Sequence, residues 1–149
     1  MQTLRVKTER RTQLVDVTGL VERAVKASGV ASGVCYVYVP HTTAGVAINE
    51  RADPDVASDL EGVFDRLVPH SGPYRHSEGN TDSHAKAMMV GASQVIFVEE
   101  GKLMLGRWQG IFFCEFDGPR ERKMFVKVDK SESRSGKECA RNACAWTIG

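Results

Sequence analysis

The sequence predicts an α+β domain built on a largely antiparallel sheet. Three observations point there. Short runs with β-branched or alternating apolar character lie at both ends of the chain, and several are joined by tight-turn residues such as Glu100-Gly101 and Asp117-Gly118-Pro119. Only three segments carry helical spacing. The resulting order, β-β-α-β-β-α-α-β-β-β-β, lacks the regular strand–helix alternation of a doubly wound parallel sheet. The 149 residues match one ordinary domain and are too few for a (β/α)₈ barrel, which takes about 250.

Each element has a local reason. Residues 2–8 alternate, with Leu4 and Val6 on one face, and a second short strand covers 13–17. Thr18 reads as an N-cap for a helix over 19–28, with Leu20, Val21, Ala24 and Val25 at helical spacing and Gly29 closing it. Residues 33–39 (GVCYVYV) suit a well-buried strand that Pro40 ends, and 46–49 reads as another strand. Asp53-Pro54 is a helix start, with Asp as cap and Pro at the first helical position. That helix runs to Val68 and stops at Pro69.

Residues 69–80 (PHSGPYRHSEGN) form a loop longer than the usual 4–6 residues, a length often associated with function. Thr81 or Asp82 caps a third helix that Gly91 closes. Strands follow at 94–98, 103–105, 107–116 and 123–128. From Asp129 to Gly149 the composition turns polar and aperiodic, so the expectation is one domain over 1–128 and a flexible tail over 129–149.

Charge and composition exclude several classes. Twenty Lys and Arg oppose 19 Asp and Glu, a balance that argues against a general nucleic-acid binder. No apolar run is long enough to span a membrane, and MQTLRVKTERR lacks the apolar core of a secretory signal, so the expected compartment is the cytoplasm. Nucleotide-binding signatures (GxGxxG, GxxxxGK[ST]) are absent, and no nucleotide cofactor is expected. Cys35 and Cys114 sit in apolar runs and read as buried thiols. Cys139 and Cys144 do not have metal or redox spacing.

All four histidines fall between positions 41 and 84, in a stretch that also holds Asn49, Glu50, Asp53, Asp55, Glu78, Asn80 and Asp82. His41 lies at a strand end, His76 in the long loop and His84 in the first turn of the third helix. Three neutral imidazoles with an open position make a zinc arrangement, with Asp82 and Glu78 available to orient the rings. The spacing itself is no compact metal signature, and a histidine in a loop ordinarily just sits in solvent. Glu78-Gly79-Asn80 is either an anion site at a helix N-terminus or a turn with a cap. Asp53 is a cap or faces a site. Gly106 to Gly110, around Trp108 and Gln109, is odd for a strand and suggests a bulge or a close backbone approach. Trp108 reads as core or site. Glu115 is either on the solvent face of an edge strand or a partner for a basic group or metal. Arg120 is either a phosphate or carboxylate ligand or part of a plain hairpin turn.

With HTTAGVAINE, Asp53-Pro54, HSEGNTDSH, GKLMLGRWQG and DGPR in order, residues 3–128 resemble the YjbQ family, UPF0047, also called the secondary thiamine-phosphate synthase family. The resemblance implies a mainly antiparallel sheet curved into a half-barrel with helices on one side. It also implies a homotrimer with a polar pocket near subunit contacts. Carried over position by position, it implies His41, Glu78, Asp82, His84 and Arg120 as catalytic. Asn49, Asp53, Asn80, Trp108, Gln109 and Glu115 become substrate-binding, and His41, His76 and His84 ligands of a divalent metal (Zn or Mg) or an anion. His70 lies outside the pattern and is left as surface.

The implied activity joins a pyrimidine methyl diphosphate to a thiazole phosphate, with diphosphate leaving. Such chemistry needs cations against the leaving group. The partner is then a small phosphorylated molecule or anion, with neither nucleic acid nor membrane involved. Two rivals stand beside it: a hydrolase using a zinc-bound water, and a non-enzymatic binder of a small anion or metal.

Overall fold

The computed structural model describes residues 1–132. The elements are β1 (Gln2–Lys7), β2 (Gln13–Asp16), α1 (Thr18–Ser28), β3 (Gly33–Tyr38), β4 (Ala44–Glu50), α2 (Pro54–Leu67), α3 (Thr81–Val90), β5 (Ser93–Glu99), β6 (Lys102–Leu103), β7 (Gln109–Glu115) and β8 (Glu121–Lys130). They form two antiparallel sheets, the α+β class expected. Sheet A, curled as a half-barrel, has the order β1-β8-β3-β5-β6, and sheet B the order β2-β7-β4. No helix of the described residues is long and apolar enough to cross a membrane.

Strand β7 explains the layering. Ile111 and Phe113 face a core shared with α1 (Val21, Val25) and sheet A (Val37, Val126). Phe112 and Cys114 face the other way and pack with Phe116, Ala87 of α3 and Phe64 of α2. A strand buried on both faces reads as a continuous apolar run, as IFFC does. Helices α2 and α3 therefore cover one face of sheet B, and their packing brings the end of the 68–80 loop to the β7–β8 turn.

Three local readings change. α1 begins at Thr18, not after it, and the cap is supplied from further back: Asp16 Oδ1 accepts from the Thr18 amide at 2.9 Å. α3 has Asn80 as its N-cap, with no side-chain cap bond, in place of Thr81 or Asp82. Strand β8 runs to Lys130, pairing Gly33 with Lys130, so the first two residues of the expected tail are sheet. The rest of that tail, with Cys139 and Cys144, lies outside the described residues from position 133 onward.

Close approach requires glycine at two positions that frame the site, Gly110 and Gly118, as it does at Gly33 and Gly45. A Cβ on Gly110 would stand 2.8 Å from the Arg51 side chain and 3.0 Å from Thr18 Oγ1, the close approach expected of the Gly106–Gly110 stretch. One on Gly118 would collide with the backbone oxygen of Arg10, so only glycine lets the β7–β8 turn lie against the β1–β2 loop.

Candidate functional site

Sheet B divides the expected site residues into two groups. The β4–β7 register pairs Ala44 with Glu115 and Glu50 with Gln109. Six residues at about 3.4 Å each separate the two ends by about 20 Å. His41, Glu115 and Arg120 belong to the end where β7 leaves the sheet and α3 begins, with His76, Glu78, Asn80, Asp82 and His84. Asn49, Asp53, Trp108 and Gln109 belong to the opposite end.

The second group is occupied locally. Asn49 Oδ1 accepts from the Glu50 amide at 2.8 Å, and Asp53 Oδ1 caps α2 through the Asp55 amide at 2.9 Å. Gln109 Oε1 accepts from the Gly106 amide at 2.7 Å. Trp108 is 59% exposed, which removes the core reading. Asp53 also borders a cavity of about 360 Å³ with Arg10, Arg51 and Phe112.

At the α3 end, Glu115 is wholly buried. It shares the parity of Ile111 and Phe113, and β7 is the central strand of sheet B, so the position has no solvent face. Its carboxylate receives Arg122 Nε at 2.7 Å and Nη2 at 2.6 Å, Thr8 Oγ1 at 3.0 Å, and the Phe116 and Asp117 amides at 3.1 and 2.9 Å. Of the readings open to it, the structure shows the partner of a basic group. With both oxygens bonded inside the chain, it does not reach a ligand.

Asp117 is the next node. Its carboxylate binds Arg120 Nη2 at 2.7 Å, Asn80 Nδ2 at 3.0 Å and Arg11 Nη1 at 3.5 Å. Burial opposes its ionised form, but the bonds from Asn80 and Arg120 and the charges of Arg120 and Arg11 outweigh it, and its pKa lies below the ordinary carboxylate value. Asn80 is thereby fixed in orientation: its NH₂ faces a carboxylate, so its carbonyl Oδ1 points elsewhere. Oδ1 is buried without a partner, as is the hydroxyl of the adjacent Thr81. Orphaned buried polar atoms are costly and uncommon, and they mark where a ligand atom would be welcome.

Asp82, expected to orient a site histidine or act as base, is fully buried. Arg11 Nη2 at 3.1 Å, His70 Nδ1 at 3.1 Å and Lys86 Nζ at 3.2 Å surround it, and Lys86 reaches on to Asp65 at 2.7 Å. Burial again works against ionisation, yet the His70 and Lys86 bonds and the Lys86 and Arg11 charges hold its carboxyl below the usual range. Such a group is a poor proton acceptor. It does orient an imidazole, but that of His70, which is half-exposed and bonded rather than free surface.

The histidines part company. His76 and His84 meet edge to face with ring centroids 5.4 Å apart. With Thr81 they line a shallow, open depression of about 290 Å³ at the α3 N-terminus. Glu78 is exposed, its Oε2 3.8 Å from His76 Nε2. His41 does not line that depression. Its Nε2 accepts from the Lys123 amide at 3.0 Å, leaving Nδ1 as the protonated nitrogen of the neutral ring. Burial and the nearby Arg122 charge lower its pKa below the ordinary histidine value. A metal held by His41, His76 and His84 does not fit, because the His41 Nε2 lone pair is spent on a backbone amide. Among the described residues no group of three or more His, Cys, Asp or Glu is placed to hold a metal ion.

Residues 2–131 match the model of the UPF0047 protein YjbQ-like family. The chain belongs to this family. UPF0047 protein YugU of Bacillus subtilis is 50% identical over 129 residues, 86% of this chain and 98% of that one. UPF0047 protein MJ1081 of Methanocaldococcus jannaschii is 49% identical over 123 residues, 83% of this chain and 89% of that one. The crystal structure of a YjbQ/UPF0047 family protein from Clostridium acetobutylicum superposes with a TM-score of 0.85 at 51% identity, covering 87% of this chain and all of that one. The hypothetical protein APE1520 from Aeropyrum pernix gives 0.83 at 42% identity, covering 87% and 98%. In this chain the YjbQ-like fold carries the two clusters at opposite ends of sheet B.

The polar partners that sequence reasoning missed in this YjbQ-like chain include Arg11, His70, Thr81, Lys86, Asp117 and Arg122. One signal was available: Asp82 and Lys86 stand four apart on a helix, the spacing of a pair.

Proposed function

We propose that this protein is an enzyme of diphosphate displacement, of the thiamine-phosphate synthase type, joining a pyrimidine methyl diphosphate to a thiazole phosphate. The observation that carries the reading is the His76–His84 pair, in edge-to-face contact and lining an open depression at the N-terminus of α3. A helix N-terminus offers unpaired amides and a partial positive charge to a phosphate group. Two imidazoles beside it supply N–H donors for the same anion. Asn80 Oδ1 and Thr81 Oγ1 add polar atoms that lack a partner within the chain.

In the reaction the methylene C–O bond to diphosphate breaks and the leaving group keeps the electron pair. The thiazole nitrogen supplies the pair for the new C–N bond. His84 and His76 stabilise the departing charge by donating N–H bonds, and Glu78 orients His76. Arg120 stands on the same corner through Asp117, with part of its guanidinium open to solvent. Asp82 acts by holding α3 in place. His41, neutral and tied to β8, keeps an Nδ1–H donor but stands outside this depression. One positioned donor of this kind is worth about 10²–10³ in rate.

The test is direct. Purified protein given both substrates should release diphosphate and form thiamine phosphate, and His84→Ala or Glu78→Ala should lower the rate at least about 100-fold. Absent turnover in the wild type, or unchanged turnover in both variants, removes the reading.

A second reading, non-enzymatic capture of a small anion, is favoured by the engagement of Asp82 with three cationic or imidazole groups, which leaves no free carboxylate in the first turn of α3. Ligand-dependent melting without turnover would select it.

We also propose a homotrimer. The outer face of sheet A exposes Tyr36, Tyr38, Val95 and Phe97, an apolar set on the neighbouring strands β3 and β5 in which Tyr36 stands directly opposite Val95. The buried, unpaired thiols of Cys35 and Cys114 suit a reducing compartment, and the cytoplasm is the one we propose.

A further inference from the structure

The connection that carries His76 and Glu78 is hydrogen-bonded to the rest of the fold through one residue. Every residue from Pro69 to Gly79 is exposed. The Tyr74 hydroxyl bonds Pro69 O, the Gly79 amide bonds His76 O, and His76 pairs with Glu78, all within the loop. Among the described residues, the hydrogen bonds that tie 69–79 to other elements come from His70 alone. Its Nδ1 lies 2.9 Å from Arg11 Nη2 and 3.1 Å from Asp82 Oδ1.

The point of attachment is firm. Asp82 is fully buried, Lys86 and Arg11 hold its two oxygens, and the neighbouring Ser83 hydroxyl bonds Phe116 O. Asp82 is also two residues before His84 on α3, so the tether and the ring that His76 meets are fixed to the same helical turn. An eleven-residue polar loop without such a tether would sample many placements.

We propose that His70 is the positioning residue of this site: its Nδ1–H donates to Asp82, which Arg11 also holds, and this bond pegs the loop and so sets His76 against His84. The inference concerns where His76 stands. It holds whether or not the ligand is a diphosphate.

Side-chain shape supplies the test. Asparagine places an amide heteroatom where Nδ1 stands, whereas glutamine places one only where Nε2 stands. Limited trypsin digestion of the full chain reads the loop through cleavage after Arg75, and the ¹⁵N shifts of the His76 ring read its environment. His70→Ala and His70→Gln should be cut after Arg75 at least fivefold faster than wild type, with His76 ring shifts moved toward free imidazole. His70→Asn should stay within twofold and keep the wild-type shifts. Wild-type cleavage of His70→Ala, or failure of His70→Asn to restore protection where His70→Gln does, would overturn the proposal. So would a parallel rise in cleavage after Lys26 in α1, since that would report global unfolding.

Discussion

Glu115→Gln isolates the buried charge that joins the two sheets. In the native protein five hydrogen bonds enter this carboxylate, two of them from Arg122, itself only 7% exposed. The amide removes the charge and turns two N–H groups into a ring of donors. Arg122 is then a buried cation without a counter-charge, and breaking such a pair from one side costs about 3–5 kcal/mol. For a chain of this length each kcal/mol moves the midpoint by roughly 2–4 °C, so Tm should fall by about 10 °C. Urea unfolding followed by circular dichroism, at fixed protein concentration, should give that loss with an unchanged m-value. Replacing both partners, Glu115→Leu with Arg122→Met, should recover much of it, because no charge is left stranded. A loss under about 1 kcal/mol in Glu115→Gln would place the pair with exposed ion pairs and refute its structural role.

Other expectations follow from the same groups. Asp82 titrates below its ordinary value when folded, so its stabilising contribution is present above about pH 3.9 and is lost as pH falls through the lower folded value. Asp82→Asn should therefore lower Tm at pH 7 and flatten the acid limb below the ordinary carboxylate range; an acid limb of wild-type steepness would contradict this. The folded chain resists protonating His41, so stability should rise with pH across the window just below about 6.5. A His41 NMR midpoint at or above 6.5 would count against the burial and Arg122 argument. Phe97→Asp should shift the mass measured by light scattering from trimer to monomer, and an unchanged mass would remove the sheet A face as the contact.

How far the sequence was legible depends on the range of the cause. Helices α1, α2 and α3 are announced by local signals, Gly29 adopting the left-handed C-cap and Asp53-Pro54 opening α2 as their types demand. The IFFC run reads as a buried strand for the same local reason. The face that Glu115 takes is not local: it depends on β7 lying between β2 and β4, and on β8 presenting Arg122 across the interior. The partition of the candidate site follows from the β4–β7 register, which sends Asn49, Trp108 and Gln109 away from His84, although the motifs that contain them are equally conspicuous along the chain. His41 looks like a metal ligand until the Lys123 amide, 82 positions on, takes its Nε2. Asp82 resembles a helix cap or a site acid until the β1–β2 loop delivers Arg11.

The central claim is that the His76–His84 depression receives a phosphorylated group. Titrating inorganic diphosphate into ¹⁵N-histidine-labelled protein tests it without requiring turnover. The account predicts saturable shifts of the His76 and His84 ring signals with one common midpoint, abolished at His76 by His84→Ala. Ring signals at both positions that stay fixed while diphosphate saturates, or shifts confined to His41 and His70, would contradict it.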